Sequence, residues 1–207
     1  MRKFVQWWGT DALTLVENPP TDTVLWWIKL IAYRIKWKIL HQLFDVHWVV
    51  HERLRKHLLD FGIKNEKIAV LITPPLYPDI YPKKLHVGFV IMYYHPAPAC
   101  LGGETFIRWK YGIGYIEETM KHYKNHKDIR FIKTTGSQDM SKVYPIVDYM
   151  LRPSHHDGMP RMNLECDNNN IPYYYSEDGQ PCMLAIKNSI NVNYNKWKNP
   201  GSAKKKK

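Results

Sequence analysis

The chain has 207 residues, 44% of them apolar, and a formal net charge of +11, which allows one domain with a buried core or two small α/β halves sharing a cleft. Cys100, Cys166 and Cys182 form no CxxC pair, so neither a zinc site nor a disulfide framework is predicted. The basic charge favours anionic partners, but no nucleic-acid-binding motif is recognisable and no nucleic-acid partner is expected.

The N-terminal portion, residues 1–78, alternates apolar runs with segments of helical periodicity. The predicted elements are a strand at 3–8 followed by a loop through Asp11, a helix at 22–44, a strand at 46–50, a helix at 51–61 that Gly62 ends, and a strand at 67–73. The Pro-rich segment 76–84 is the predicted linker.

The predicted helix at 22–44 allows two interpretations. Its aliphatic residues recur at helical spacing, which predicts a face packed in the core. Those residues are Leu25, Ile28, Ala32, Ile35, Ile39 and Leu43. Tryptophans and basic residues on the same helix leave contact with an anionic membrane as the alternative. Neither a signal peptide nor a membrane-spanning helix is predicted, so we expect a cytoplasmic protein, with peripheral membrane attachment as the alternative.

The C-terminal portion, residues 85–198, continues the alternation. The predicted elements are strands at 85–94, 129–134, 148–152 and 171–176, and helices at 105–123, 139–144, 160–169 and 181–189. Gly112 and Gly114 weaken the first of these helices, and the last helix is weakly predicted. Such alternation predicts a parallel sheet with helices on both faces. The Lys-rich residues 199–207 are predicted to be a disordered tail.

The segment 148–176 holds the most informative residues, because it predicts a strand, a tight loop, a helix and a second strand. In doubly wound sheets ligands bind at the carboxyl ends of strands, beside helix N-termini that favour phosphate. Gly158 allows close approach of the backbone to a ligand, and Pro160 suits a first helical turn. Asp157 and Glu165 lie eight positions apart, and carboxylates accept hydrogen bonds from sugar hydroxyls.

This spacing resembles the E-x7-E motif of family 4 glycosyltransferases and their GT-B relatives, with Asp in place of the first Glu. Four stretches strengthen the match: Leu151-Arg-Pro-Ser154, His156-Asp-Gly158, Met162-Asn-Leu-Glu165 and Ile171-Pro172. The resemblance covers the chain from about Leu85 onward, and more faintly residues 46–74. The chain is roughly half the length usual for two full Rossmann domains.

The resemblance implies an α/β, GT-B-like fold with a Rossmann-type C-terminal domain and a shortened N-terminal portion on the acceptor side. It implies a retaining glycosyltransferase that uses a UDP- or GDP-linked nucleotide sugar as substrate, with no metal or other cofactor. The acceptor is expected to be a lipid, a glycan or a protein. The alternative is a catalytically inactive nucleotide-sugar-binding module or subunit.

Candidate site residues follow from the motif and from its surroundings. The resemblance gives Asp157 and Glu165 the catalytic roles. The candidate donor-binding residues are Arg108, Lys110, Arg152, His156, Gly158, Met159, Pro160 and Arg161. For Arg108 and Lys110 a solvated helix face is the alternative, and for Arg152 a solvated base. Asp11 is the candidate on the acceptor side, with a simple turn residue as the alternative.

Overall fold

The structure, a computed structural model, describes residues 3–7, 10–18, 24–71, 80–96, 103–135, 137–155, 161–176 and 179–200. These residues form two compact units. The first unit contains the described residues up to Leu71 together with 103–106, and the second contains the other described residues. The predicted tail lies mostly outside the described residues, as does much of the predicted linker, and the predicted domain boundaries remain predictions.

The described part of the first unit is a three-stranded parallel sheet with three helices, together with residues 103–106 from the start of a fourth helix. Its elements are β1 Phe4–Trp7, α1 Thr10–Val16, α2 Val24–Leu40, β2 Val46–Val49, α3 Glu52–Phe61 and β3 Ile68–Val70, with a 3₁₀ turn at His41–Leu43. The strand order is β1-β2-β3. Helix α3 begins after His51, whose Nδ1 accepts from the Arg53 backbone N–H at 3.1 Å, and it ends at Gly62 with φ of 100°. The predicted stop at Gly62 is therefore confirmed.

Two predictions for this unit are wrong. The loop predicted after the first strand contains α1, a helix of seven residues. The face of α2 predicted to pack in the core is exposed, since Ile28, Ile35 and Ile39 each keep more than half of their surface. The opposite face packs inward through Leu30, Tyr33 and Trp37. Aromatic side chains bury more apolar area than aliphatic ones, which favours this orientation of the helix.

Two histidines of the first unit, His47 and His57, are buried. The Trp7 indole donates to His47 Nδ1 at 3.0 Å, and His47 Nε2 lies 3.1 Å from the His41 carbonyl oxygen. His47 is thus a neutral ring that accepts at one nitrogen and donates at the other. His57, on α3, is also buried, with Glu17 Oε1 3.8 Å from its Nε2. Burial, with a smaller contribution from Arg53, lowers the pKa of His57 to about 4.

We expect the free energy of unfolding to fall as the pH is lowered, because the pKa of His57 is depressed in the folded state. In the unfolded chain His57 binds a proton near its ordinary pKa of 6.5, whereas the folded protein binds it only near 4. Between these values the unfolded state holds more protons, so acidification from about pH 7 to about pH 5 should remove roughly 1–2 kcal/mol. Urea denaturation at both pH values measures this loss.

The control for this prediction compares two histidine substitutions. His57→Gln should flatten the pH dependence of the free energy of unfolding, whereas His122→Gln, at an exposed position on another helix, should leave it unchanged. Equal slopes in the native protein and in His57→Gln would contradict the prediction.

The second unit is a four-stranded parallel sheet with helices on both faces. Its elements are β4 Phe89–Tyr94, α4 Gly103–Lys110 (of which 107–110 belong to this unit), α5 Ile113–Tyr123, β5 Ile129–Thr134, α6 Met140–Val143, β6 Tyr149–Arg152, α7 Arg161–Asn168, β7 Tyr173–Tyr175 and α8 Met183–Lys198. The strand order is β5-β4-β6-β7. A 3₁₀ turn at Tyr144–Ile146 links α6 to the segment before β6.

The side chains of β4 alternate between two cores, as expected of a strand covered on both faces. Phe89 and Ile91 pack in a cluster with side chains of α5 and α8. Val90 and Met92 pack in a second cluster that includes Cys166 of α7. The predicted parallel sheet with helices on both faces is therefore confirmed for this unit.

Three element predictions for this unit need correction. The helix predicted at 105–123 is two helices, because Gly112 has a left-handed φ of 61° that ends α4. The strand predicted from residue 85 begins at Phe89, after Gly88 with φ of 83°. The weak helix predicted at 181–189 is the sixteen-residue α8, whose Ile186, Ile190 and Tyr194 are buried at helical spacing. Among the described residues, no helix is long and apolar enough to span a membrane.

Candidate functional site

The candidate site lies at the carboxyl-end edge of the sheet in the second unit. Strands β6 and β7 are parallel neighbours, and Arg152 is in register with Tyr175. Ser154 and Ser176, which follow these strands, therefore leave the sheet at the same edge. Helix α7 follows β6 in the chain and packs against the sheet through Cys166. This edge is where parallel α/β sheets bind ligands.

Arg152 places a buried cation at this edge. The residue is only 7% exposed. Its guanidinium carbon lies 5.1 Å from the ring centre of Tyr94 and 5.6 Å from that of Tyr111. Its Nη1 donates to the Met162 sulfur at 3.4 Å, which ties the end of β6 to α7. Arg152 thus packs against two aromatic rings that contact each other and is not the solvated base of the alternative interpretation.

Three buried polar atoms at the same edge lack a hydrogen-bond partner among the residues that the structure describes. They are Ser154 Oγ, Asn163 Oδ1 and Ser176 Oγ. The three residues are 0%, 6% and 3% exposed, respectively. An unpartnered buried polar group destabilises the folded state by about 1–3 kcal/mol. Most buried polar groups in proteins are hydrogen-bonded, so three exceptions at one edge indicate a place where a polar ligand supplies the missing partners.

Glu165 lies on α7 and is held by a buried tyrosine. The Tyr144 hydroxyl donates a hydrogen bond to Glu165 Oε2. Burial, and then this hydrogen bond, raises the pKa of Tyr144 well above its ordinary value, so the phenol stays protonated and keeps donating. The Glu165 side chain remains partly accessible. The carboxylate is therefore oriented by the protein, on a side chain that is not fully buried.

The basic residues of α4 contact protein groups. Arg108 forms a two-pronged ion pair with Glu117, at 2.8 and 2.5 Å, and this hydrogen bonding lowers the pKa of Glu117. Lys110 Nζ lies 5.3 Å from the ring centre of Tyr111. To reach a diphosphate, Arg108 would have to leave Glu117. The diphosphate role of both residues remains a prediction.

His155 occupies an aromatic stack at the end of the site segment. Its ring lies parallel to Trp109, with centroids 5.6 Å apart and an interplanar angle of 7°. Its backbone N–H donates to the Lys110 carbonyl at 3.0 Å. The stack joins the segment that follows β6 to the last turn of α4. Among the described residues, no group of three His, Cys, Asp or Glu side chains is placed to hold a metal ion.

Some of the predicted site residues lie within the described part of the chain and others lie outside it. Arg152, Arg161 and Glu165 belong to β6 and α7, with Arg161 exposed at the first position of that helix. Five predicted residues lie outside the described ones: His156, Asp157, Gly158, Met159 and Pro160. Asp11 belongs to the other unit, in helix α1, so its interpretation as a simple turn residue is wrong.

Sequence reasoning missed three polar residues at this edge. Ser154 belongs to the motif stretch Leu151-Arg-Pro-Ser154 but is not among the predicted site residues, and neither is Asn163 or Ser176. The available signal was a serine at or just beyond the end of each of two predicted strands and an amide in the first turn of the predicted helix between them. Whether such side chains have protein partners depends on the tertiary structure.

These two parallel α/β units define the class of the fold, which is GT-B-like. The fold is matched by TarM, a glycosyltransferase, with a TM-score of 0.55 and 11% identity over 94% of this chain and 44% of TarM. Because the identity is so low, this likeness shows the fold alone.

Two further solved structures were matched at lower TM-scores. The lipopolysaccharide outer core galactosyltransferase WaaB has a TM-score of 0.49 and 12% identity, over 81% of this chain and 55% of WaaB. A glycosyltransferase from Rickettsia africae has a TM-score of 0.40 and 12% identity, over 91% of this chain and 60% of that protein. This chain spans about half the length of these proteins. No protein-family model and no curated protein sequence matches it.

Proposed function

We propose that this chain binds a nucleotide-sugar donor at the carboxyl-end edge of β6 and β7 and transfers the sugar to an acceptor with retention of configuration. The observation that carries the proposal is the set of three buried polar atoms, of Ser154, Asn163 and Ser176, that have no hydrogen-bond partner in the described part of the chain. Two hydroxyls and an amide oxygen suit a ligand rich in hydroxyl groups and phosphate oxygens.

Charge at the same edge supports an anionic part of the ligand. A nucleotide diphosphate leaves with its negative charge increased, and a nearby cation in a water-poor site stabilises that charge strongly. Arg152 is such a cation, and its guanidinium packs against the rings of Tyr94 and Tyr111. Helix N-terminal amides of α7 would add to this stabilisation.

Glu165 and Asp157 have separate roles in this proposal. Glu165, oriented by Tyr144, would accept hydrogen bonds from hydroxyls of the ribose or of the sugar. Asp157 would contact the transferred sugar and lies outside the described residues. Donor binding by Arg108, Lys110, His156, Gly158, Met159, Pro160 and Arg161 belongs to the same proposal, as does contact of Asp11 with the acceptor. The proposed chemistry uses no metal ion or other cofactor.

Ser154→Ala and Ser176→Ala test whether these buried hydroxyls bind the ligand or are only unfavourably packed. Removing an unpartnered buried hydroxyl should raise the free energy of unfolding of the ligand-free protein by about 1 kcal/mol, because a desolvated group is lost. The same change should raise the Kd for the nucleotide sugar by about tenfold, because a hydrogen bond to the ligand is lost. Urea denaturation and calorimetric titration with a panel of UDP- and GDP-sugars measure the two effects.

The matched control is Ser189→Ala. The Ser189 hydroxyl already accepts from the Tyr149 hydroxyl at 2.7 Å, so its removal should lower stability by about 1 kcal/mol and leave the Kd unchanged. A loss of stability in Ser154→Ala with unchanged Kd would contradict the site. If no nucleotide sugar binds the native protein, the proposed function fails altogether.

The second candidate function is a nucleotide-sugar-binding module without catalysis. The observation that favours it is the ion pair of Arg108 with Glu117, because it occupies a side chain proposed to hold the diphosphate leaving group. Both candidates require donor binding, and only the transferase requires turnover. Release of free nucleotide from the bound donor, together with proton NMR of the anomeric configuration of the first-formed product, distinguishes them. Donor binding without turnover at any acceptor tried would favour the module.

A further inference from the structure

Helix α2 exposes a continuous apolar face to solvent. The face consists of the α2 stripe, Val24, Leu25, Ile28, Ile31, Ile35 and Ile39, whose exposed fractions range from 54% to 77%. From Leu25 onward these positions recur at intervals of three and four residues, and Val24 lies four before Ile28, which places the set on one side of a helix. Single exposed apolar residues are common, but a helix-long row of them marks an interaction surface.

The stripe is held outward by the packing of the other side of α2. Leu30 is buried, and Tyr33 and Trp37 pack against the core of the first unit. Arg34 donates from Nε to the Thr14 carbonyl at 2.8 Å and from Nη1 to Asn18 Oδ1 at 2.9 Å. These contacts fix the rotation of α2 about its axis. The stripe therefore remains exposed as long as this unit is folded.

The charges around the stripe have one sign. Lys29 and Lys36 are exposed and border it on one side. From Val24 to Leu43 the sequence contains no Asp or Glu. An apolar row with a basic border complements a surface that has hydrocarbon below anionic phosphate groups. A second copy of this chain would instead bring these lysines close to their own counterparts, which is unfavourable.

The dimensions of the stripe also suit a surface-bound helix. From Val24 to Ile39 the helix extends roughly 22 Å, at about 1.5 Å per residue. Trp27 lies at the edge of the stripe and is 37% exposed, and tryptophan prefers the boundary between water and hydrocarbon. The helix bears four basic residues, so it would lie in the plane of the membrane interface.

We propose that α2 docks this chain on an anionic phospholipid bilayer, with the stripe inserted at the level of the acyl chains and Lys29 and Lys36 against the phosphate groups. The proposal depends on the packing of the first unit and does not depend on the function proposed above. It specifies the partner by chemistry, an anionic membrane surface, and the contact by the residues of the stripe.

The test is co-sedimentation of the full chain with vesicles of phosphatidylcholine alone and of equal parts phosphatidylcholine and phosphatidylglycerol. Because the lysines at 204–207 could bind anionic vesicles by themselves, every variant is prepared with these four lysines changed to glutamine. Ile28→Glu with Ile35→Glu should weaken binding to the anionic vesicles by roughly 100-fold or more. Leu59→Glu with Val192→Glu changes the charge equally at exposed apolar positions outside the stripe and should leave binding nearly unchanged.

The contribution of the two lysines beside the stripe is tested by a second double variant with its own control. Lys29→Gln with Lys36→Gln should weaken binding to anionic vesicles by about 30-fold. Lys124→Gln with Lys127→Gln, two exposed lysines outside α2, should change it by no more than about twofold. Binding that persists in Ile28→Glu with Ile35→Glu would overturn the proposal. So would absence of vesicle binding together with self-association that these two substitutions abolish, since the stripe would then bind a second copy.

Discussion

Gly112→Ala should lower the free energy of unfolding by about 3 kcal/mol or more, the largest loss of stability that we expect from adding a single methyl group to this chain. Gly112 has φ of 61°, a left-handed conformation that disfavours a side chain by about 1–2 kcal/mol. A Cβ added there would lie 1.8 Å from the Pro153 carbonyl oxygen and 2.8 Å from its carbonyl carbon. Both contacts are with backbone, so rotation of a side chain cannot relieve them.

The same substitution should also weaken the candidate site. Pro153 stands between Arg152 and Ser154, both of which are buried at the edge of the sheet. A shift of the Pro153 backbone that relieves the contact with position 112 moves these two residues as well. We therefore expect Gly112→Ala to raise the Kd for a nucleotide sugar as well as to lower stability.

Gly114→Ala is the matched control for this prediction. Gly114 lies two residues further along, in α5, and a Cβ there would meet nothing within 4 Å. Alanine is favoured over glycine in a helix, so Gly114→Ala should raise the free energy of unfolding by about 0.5–1 kcal/mol. Urea denaturation of the two variants side by side measures both effects. Similar changes in the two variants would contradict the steric argument.

The break at Gly112 also shows why one helix was predicted where there are two. A glycine inside a helical pattern costs about 1 kcal/mol relative to alanine, which a long apolar periodicity outweighs in a sequence-based prediction. The reason for the break is the close approach of the Pro153 carbonyl, forty-one positions away in the sequence. Local periodicity carries no information about such a contact.

Helix α2 illustrates a second limit of sequence reasoning. Its length and position were predicted closely, but the face assigned to the core was the wrong one. Both faces are apolar: one presents Ile28 and Ile35, and the other presents Leu30 and Trp37. A periodicity argument identifies a helix with an apolar face, and it cannot choose between two such faces.

Only the features of the candidate site that depend on local sequence could be predicted. The run of strand, loop and helix is local, so the order of β6 and α7 and the placement of Arg152 and Glu165 on them could be read from the sequence. That Ser154 and Ser176 find no hydrogen-bond partner within the described ranges depends on everything packed around them. That property emerges only in the folded structure.

Glu165→Gln should raise the Kd for the nucleotide sugar by roughly 10- to 100-fold and lower kcat/KM by at least as much. Hydrogen bonds to a charged group contribute about 1.5–3 kcal/mol, and glutamine removes the charge. Glutamine keeps a carbonyl oxygen that can accept the hydrogen bond of the Tyr144 hydroxyl, so the free energy of unfolding should change by less than about 1 kcal/mol. Calorimetric titration and turnover of the donor measure the first effect, and urea denaturation the second.

Tyr144→Phe gives the complementary result and completes the test. It removes the donor to Glu165 from a buried position, so stability should fall by about 1 kcal/mol while Glu165 keeps its charge. The Kd should then rise less than in Glu165→Gln, because the carboxylate is still present but is no longer oriented. If Glu165 served only as the acceptor for Tyr144, Glu165→Gln would leave both the Kd and kcat/KM unchanged. If the carboxylate contacts the donor, Glu165→Gln should lose more donor binding than Tyr144→Phe, although Tyr144→Phe loses more stability.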